Sequence, residues 1–244
     1  MQSHNLGRSG IACASKRYGE SSSRSSNRTS TTTALVFRPG YSAHQAINTV
    51  RRAKRGGYEY VVDLDIMSFF DEIPHELLME KVHERITDGK VLTLIRGWLT
   101  AGVMEDDQFH ETEVGSPQGG VISPLLGNIH LNHFDWGMKE KGFAVVRYAD
   151  DAVVLCKTRE QAEEAYAAAK MILEGELRLR MHLEKTKVVH FDEGFRFLGF
   201  DFWKDSLILP DTKVKSYKDK VRKITRRQQG DNLAEMIRKL NEVV

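Results

Sequence analysis

Tyr148-Ala149-Asp150-Asp151 sets two adjacent carboxylates between apolar runs, Val145-Val146 before them and Ala152 to Leu155 after. The pattern predicts strand, tight turn, strand, with the acids at the tip. Neighbouring like charges repel, so folding alone has no reason to place them between two buried strands. A divalent cation supplies a reason. Magnesium prefers hard oxygen ligands and takes only one or two carboxylates from a protein. On these four residues alone, a solvated acidic turn is the plainer account.

Asp63-Leu64-Asp65-Ile66, running on to Phe70-Asp71, is a second acidic cluster. A strand period of two puts Asp63 and Asp65 on one face, opposite Val62, Leu64 and Ile66. Asp at a strand end also caps the next element, which accounts equally well for Asp63 and Asp71. Two carboxylates from a hairpin and one from a neighbouring strand suit a pair of Mg²⁺ ions about 3.5–4 Å apart. One ion activates an attacking hydroxyl and the other stabilises the leaving pyrophosphate oxygen. That is in-line nucleotidyl transfer, in which the protein mostly positions groups and neutralises charge.

The surrounding elements must hold these acids in register. Ser42 can cap a helix through Ala46, Ile47 and Val50 to about Lys54, ended by Gly56-Gly57. A strand is expected over Tyr58–Ile66, then helices over Glu76–Ile86 and Val91–Leu99, and a weakly alternating hairpin arm over Phe109–Val114. Gly115 to Gly120 reads as a loop feeding a helix from Ser123 to Lys139, followed by the acidic hairpin and an Ala- and Glu-rich helix over Glu160–Leu177. Short strands follow at Val188–Phe191 and Phe195–Phe202, then helices over Val214–Gln228 and Leu233–Val243. Strands, helices and hairpins mixed in this order indicate α+β.

An apolar share of 41% can build a core, and no apolar run approaches the ~18 residues of a membrane span. Cys13 and Cys156 make no disulfide framework, so a reducing, cytoplasmic compartment is the default. Residues 1–33 carry five Lys/Arg against one acid, and residues 213–244 ten against four, so the middle of the chain is net acidic. An acidic centre with a basic arm suits a metal site beside a polyanion. On a tail helix, Lys218, Arg222 and Arg226 lie four apart, and Val221 and Ile224 would face inward. Phosphate contact and a plain solvated face explain that stripe equally well.

Taken together, six segments in order resemble the palm motifs of group II intron-type reverse transcriptases. They are Phe37-Arg38-Pro39-Gly40, Asp65 with Phe70-Asp71, Ser116-Pro117-Gln118-Gly119-Gly120 to Leu126, Arg147 to Asp151, Leu183 to Lys187, and Phe195 to Phe200. Ile237-Arg238-Lys239-Leu240-Asn241 is similar to part of the family's thumb, or maturase, region. The resemblance implies a polymerase palm over residues 35–210, an antiparallel sheet with helices packed on one face, and a partial helical thumb over 211–244. It implies RNA-directed DNA polymerase activity on an RNA template and DNA primer, with dNTPs and two Mg²⁺ ions (Mn²⁺ as a substitute) and with intron RNA as a further partner.

Roles follow by the same resemblance. Asp65, Asp150 and Asp151, with Ile66 beside Asp65, would form the metal set. Phe70 would reject a 2′-OH, and Ile66, Gln118 and Gly119 would lie at the incoming nucleotide. Lys185 or Lys187 would protonate the leaving pyrophosphate. Arg38, Phe197, Leu198 and Gly199, with Lys218, Arg222 and Arg226, would hold primer and RNA.

Residues 1–34 depart from the family. Relatives carry a basic fingers region there, whereas this segment is Ser/Thr/Arg-rich and without hydrophobic periodicity, hence expected to be unordered. Codons for Ser25–Ala34 exist that, read two bases later, give Leu-Glu-Pro-Asp-Leu-His-Asp-Asn-Gly, which resembles what the family has at this point. Frame-shifted coding sequence is therefore expected up to about residue 35, with a transit peptide or a plain tail as rivals. Two functional alternatives stay open: an inactive remnant that at most binds RNA, and another palm enzyme such as an RNA-templated RNA polymerase.

Overall fold

The structure, a computed structural model, describes residues 33–34, 42–100, 103–105, 108–110, 114–116, 120–226 and 232–242. The chain divides into two compact units, one up to Phe191 and one from Asp192. Among the described residues no helix is long and apolar enough to cross a membrane.

The first unit comprises β1 (Thr33–Ala34), α1 (Ala43–Arg55), β2 (Tyr60–Leu64), α2 (Phe69–Glu72), α3 (His75–His83) and α4 (Gly89–Thr100). A small hairpin, β3 (Val103–Glu105) and β4 (Gln108–His110), precedes α5 (Ser123–Glu140). Then come β5 (Ala144–Tyr148), β6 (Asp151–Cys156), α6 (Arg159–Lys170) with a π-helical turn over Met171–Glu176, and β7 (Lys187–His190). The sheet order is β1-β5-β6-β2-β7. Every pairing is antiparallel except β1 with β5.

Alternation along the strands explains the layers. Val62, Leu64, Val145, Ala152, Val154 and Cys156 join one core with Leu78, Val82, Leu126, Leu131, Phe134, Ala162 and Ala165 from α3, α5 and α6. Their neighbours Val61, Val146 and Val153 point the other way and are also fully buried. On that face α1, which packs on β5, carries buried Ala46, Ile47 and Val50. Its start matches the expected cap at Ser42, whose backbone N–H donates to Gln45 Oε1 at 3.3 Å. Thr158 caps α6 through its side chain, the hydroxyl accepting from Gln161 N at 3.2 Å.

Several boundaries differ from the sequence reading. β2 stops at Leu64, because the Asp65 N–H is taken by the Thr186 hydroxyl at 3.2 Å rather than by a strand partner. The helix expected up to Leu177 changes to π geometry from Met171, with Leu177 N donating to Ile172 O at 2.9 Å. Thr33–Ala34, within the segment expected to be unordered, form β1 beside Val146 and Arg147. The remainder of residues 1–41, with Arg38, lies outside the described residues.

The second unit holds β8 (Phe195–Phe197), β9 (Phe200–Trp203), β10 (Ser206–Ile208), α7 (Asp211–Ile224) and α8 (Leu233–Asn241). Among the described residues its strands pair with one another, in the order β10-β9-β8, and this compact unit begins at Asp192. The single strand expected over Phe195–Phe202 is a hairpin. Leu198 (φ 51°) and Gly199 (φ 74°) are both left-handed, as a two-residue hairpin turn of the mirror-image type requires. The Phe195 and Phe202 rings stack across it at 4.9 Å.

Candidate active site

The β2–β6 register places Asp63 opposite Val153 and Leu64 opposite Ala152. Continued by one residue, it sets Asp65 across from Asp151, on the sheet face turned away from the main core. Tyr148 pairs with Asp151, leaving Ala149-Asp150 as a two-residue turn with Ala149 at φ 60°. The expected strand, turn, strand with acids at the tip is therefore present.

Asp151 keeps an exposed edge, yet burial first, then the Asp150 and Asp65 carboxylates, push its pKa above the ordinary value. Asp63 is pushed up to about 6, chiefly by burial and further by Asp151 and Asp65, against the lowering effect of Lys187. Among the described residues no three His, Cys, Asp or Glu side chains converge as a preformed metal cage. The donor set is all hard oxygen, and the carboxylate repulsion felt by Asp151 is what a dication would relieve. The residues therefore fit Mg²⁺ or Mn²⁺.

The two candidate lysines face different acids. Lys185 Nζ lies 3.5 Å from Asp65 Oδ2, an exposed pair that adds little stability. Lys187, in β7, sits directly opposite Asp63. Between them, buried Thr186 grips the Asp65 backbone, and His182 N donates to Asp65 O at 2.9 Å. The segment bearing both lysines is thus tied to the main chain at Asp65.

Ile66 is buried and bridges to Met181. Phe70 is half-buried against the core, its ring edge-on to Phe69 at 4.9 Å. The Phe70 carbonyl accepts from Ser116 N at 2.6 Å, and the Ser116 hydroxyl bonds that of Ser123 at 2.7 Å in a buried setting. The loop predicted at the nucleotide thus starts from a fixed point beside Phe70. Gln118 and Gly119 themselves lie outside the described residues.

Gly115 secures that point. Its carbonyl accepts from His75 Nε2 at 2.5 Å, its φ is +92°, and a Cβ there would lie 2.9 Å from the Asp71 carbonyl oxygen. Gly115→Ala is expected to destabilise the fold by about 1–3 kcal/mol, read as a lower urea midpoint with an unchanged slope.

In the second unit Phe197 is buried, and Leu198 and Gly199 form the hairpin turn. Lys213 crosses that turn so closely that a Cβ on Gly199 would lie 1.8 Å from its Nζ. Lys218 and Arg222 are exposed on α7, and Arg222 Nη1 pairs with Asp219 Oδ1 at 3.2 Å. Arg226 does not complete the expected stripe. The helix ends at Ile224, where the Thr225 hydroxyl donates to Val221 O at 3.0 Å, and Arg226 falls beyond it.

Three features escaped the sequence reading of the site. Asp63 was legible on the acid face, but its partner Lys187 depended on strand register. Thr186 lay inside the Leu183 to Lys187 motif, but nothing in the sequence marked its hydroxyl as the acceptor of the Asp65 N–H. Arg147, one charge within an apolar strand, was a visible signal whose partners, Asp135 and Asn128, lie on α5. Cys156 is buried, with its thiol pushed up to about 12 by that burial, so it is inert core.

Comparison with known proteins identifies the family and the fold. The family model for reverse transcriptase (RNA-dependent DNA polymerase) matches residues 23–202, starting inside the Ser/Thr-rich segment. Protein YkfC of Escherichia coli K12 is 35% identical over 206 residues, covering 69% of this chain and 54% of that protein. The group II intron-encoded protein LtrA of Lactococcus lactis is 28% identical over 229 residues, covering 68% of this chain and 38% of that protein. The chain thus spans about half or less of these relatives. In fold it is similar to apo telomerase from Candida tropicalis, with a TM-score of 0.63 at 10% identity, over 83% of this chain and 44% of that one. Telomerase from Candida albicans, solved with a fragment of telomeric RNA, gives a TM-score of 0.62 at 13% identity, over 96% of this chain and 44% of that one. With the family model covering most of its length, the chain belongs to the reverse transcriptase (RNA-dependent DNA polymerase) family.

Proposed function

We propose that this chain extends a DNA primer on an RNA template, adding dNTPs at the acidic end of its five-stranded sheet, in the manner of the group II intron-type enzymes it is similar to. The observation that carries the proposal is the register that pairs Leu64 with Ala152, so that Asp65 and Asp151 follow at the same end of β2 and β6, with Asp150 in the adjoining turn. Asp65, Asp150 and Asp151 would hold Mg²⁺, and Ile66 follows Asp65 at the edge of that set. When bound, the metal supplies Lewis-acid activation of the primer 3′-OH and neutralises charge on the departing pyrophosphate.

The other steps belong to the chain's own residues. Lys185, whose ammonium reaches the Asp65 carboxylate, is the better placed of the two lysines to give a proton to pyrophosphate. Lys187 instead offsets the charge of half-buried Asp63. Phe70, held by Ser116, would bar a ribose 2′-OH, and Gln118 and Gly119 would complete the nucleotide site. Phe197, Leu198 and Gly199 would hold the primer end, while Arg38, Lys218, Arg222 and Arg226 would contact nucleic acid backbone. RNA binding by the telomerase neighbour is consistent with an RNA template, and the kinship with LtrA with intron RNA as a further partner.

Extension of oligo(dT) on poly(rA) with dTTP and Mg²⁺, lost on chelation, is the test. Retained RNA binding with no extension would identify an inactive remnant. Ribonucleotide use equal to dNTP use would identify an RNA polymerase. Phe70→Ala is expected to raise ribonucleotide use relative to dTTP by roughly tenfold or more, measured as the ratio of kcat/KM values.

A further inference from the structure

Arg147 is the most deeply buried charge beside the site. Its side chain is 2% exposed and that of its partner Asp135 is 7% exposed. Nε donates to Asp135 Oδ1 at 2.8 Å and Nη2 to Asp135 Oδ2 at 2.6 Å, a fork on a carboxylate. Nη1 donates to Asn128 Oδ1 at 3.0 Å and to the Ala149 carbonyl at 2.8 Å. One side chain therefore links two positions on α5 to the turn that carries Asp150.

We propose that Arg147 is the positioning residue of the acidic turn, holding the Ala149–Asp150 peptide against α5 so that Asp150 and Asp151 point where a cation is bound. The inference rests on the reading of those two acids as metal ligands. A peptide unit is planar, so fixing the Ala149 carbonyl fixes the plane from which Asp150 departs. Ala149 needs this hold, since it sits at φ 60° without being glycine. Lysine cannot replace the arginine, because one ammonium cannot span a carboxylate, an amide and a peptide carbonyl at once. A merely structural ion pair would behave differently, since buried pairs are often replaced by apolar residues of similar size without loss of stability.

That contrast defines the experiment, on the full chain. In Arg147→Met/Asp135→Leu the fold is expected to survive, by circular dichroism and thermal unfolding. Amide exchange over residues 148–151, followed by mass spectrometry, is expected to accelerate. The Mn²⁺ dissociation constant, titrated by electron paramagnetic resonance, is expected to rise on the order of tenfold. Adding Ala149→Gly should recover part of both changes, because glycine takes this φ freely. Unchanged exchange in a folded double variant overturns the proposal. If the double variant does not fold, Arg147→Lys carries the test: it keeps a charge beside Asp135 and loses the carbonyl bond, so the same acceleration supports the proposal and its absence overturns it. A wild-type chain that binds no Mn²⁺ at these acids defeats the metal reading, while the exchange data still decide the role of Arg147.

Discussion

Replacing Asp150 or Asp151 by asparagine is expected to lower Mg²⁺-dependent primer extension by on the order of a thousandfold or more, while Asp151→Asn leaves the fold at least as stable. The two halves of this result have one cause. The Asp151 pKa is raised by burial and by the carboxylates of Asp150 and Asp65, so the folded chain disfavours its charge. A raised acid pKa means that the neutral form suits the fold better at neutral pH, and asparagine is neutral at every pH. Activity needs the opposite, a charged ligand that a dication can bind. The checks are single-turnover extension at saturating Mg²⁺ and thermal unfolding in its absence. A clear loss of stability in Asp151→Asn would show that the acid serves the fold instead.

Acid is expected to weaken the fold through His130, which is fully buried on α5. Its Nε2–H donates to Leu177 O at 3.3 Å, while Nδ1 has no hydrogen-bond partner among the described residues. Burial holds its pKa down to about 4, against the Leu177 carbonyl, and the charges of Lys81 and His133 add to the lowering. In the unfolded chain a histidine titrates near 6.5. Between these two values the unfolded state binds a proton that the folded state refuses, so stability falls as pH falls. The loss accumulates to about 3 kcal/mol by pH 4 and then stops growing. Carboxylates held low by partners, such as Glu72 beside Arg180 and Asp201 beside Arg196, also lose stability in acid. The His130 share is therefore isolated by subtraction. His130→Gln can keep the donor to Leu177 without the titration, so the stability difference between wild type and variant should change by that amount between pH 7 and pH 4. Parallel urea midpoints across that range would contradict the assignment.

Local patterns carried much of the architecture. The strict alternation of Val62-Asp63-Leu64-Asp65 told which face the acids share, because side chains on a strand alternate whatever the strand pairs with. Ser42 and the Ala46, Ile47, Val50 spacing located α1, since capping and helical periodicity act within a few residues. Short-range rules failed where a distant partner overrode them. β2 stops at Leu64 because Thr186, 121 residues away, takes the Asp65 N–H. Phe195–Phe202 reads as one strand until Leu198 is seen in a conformation that costs a leucine about 1–2 kcal/mol, which only the surrounding hairpin can hold.

The sequence alone determined the family, through the order and spacing of its motifs, and marked Asp65, Asp150 and Asp151 as the candidate acids, because catalytic chemistry restricts residue type at fixed points of the chain. Only the tertiary structure decided which acid each lysine faces and which side chain bonds the turn. Lys185 and Lys187 are two residues apart and chemically alike, and the start of β7 assigns one to Asp65 and the other to Asp63. Arg147 gains its partners from α5, through packing of a helix on a sheet. Residue type and spacing are local properties, whereas register and helix-on-sheet contact are settled by the cooperative burial of the whole core.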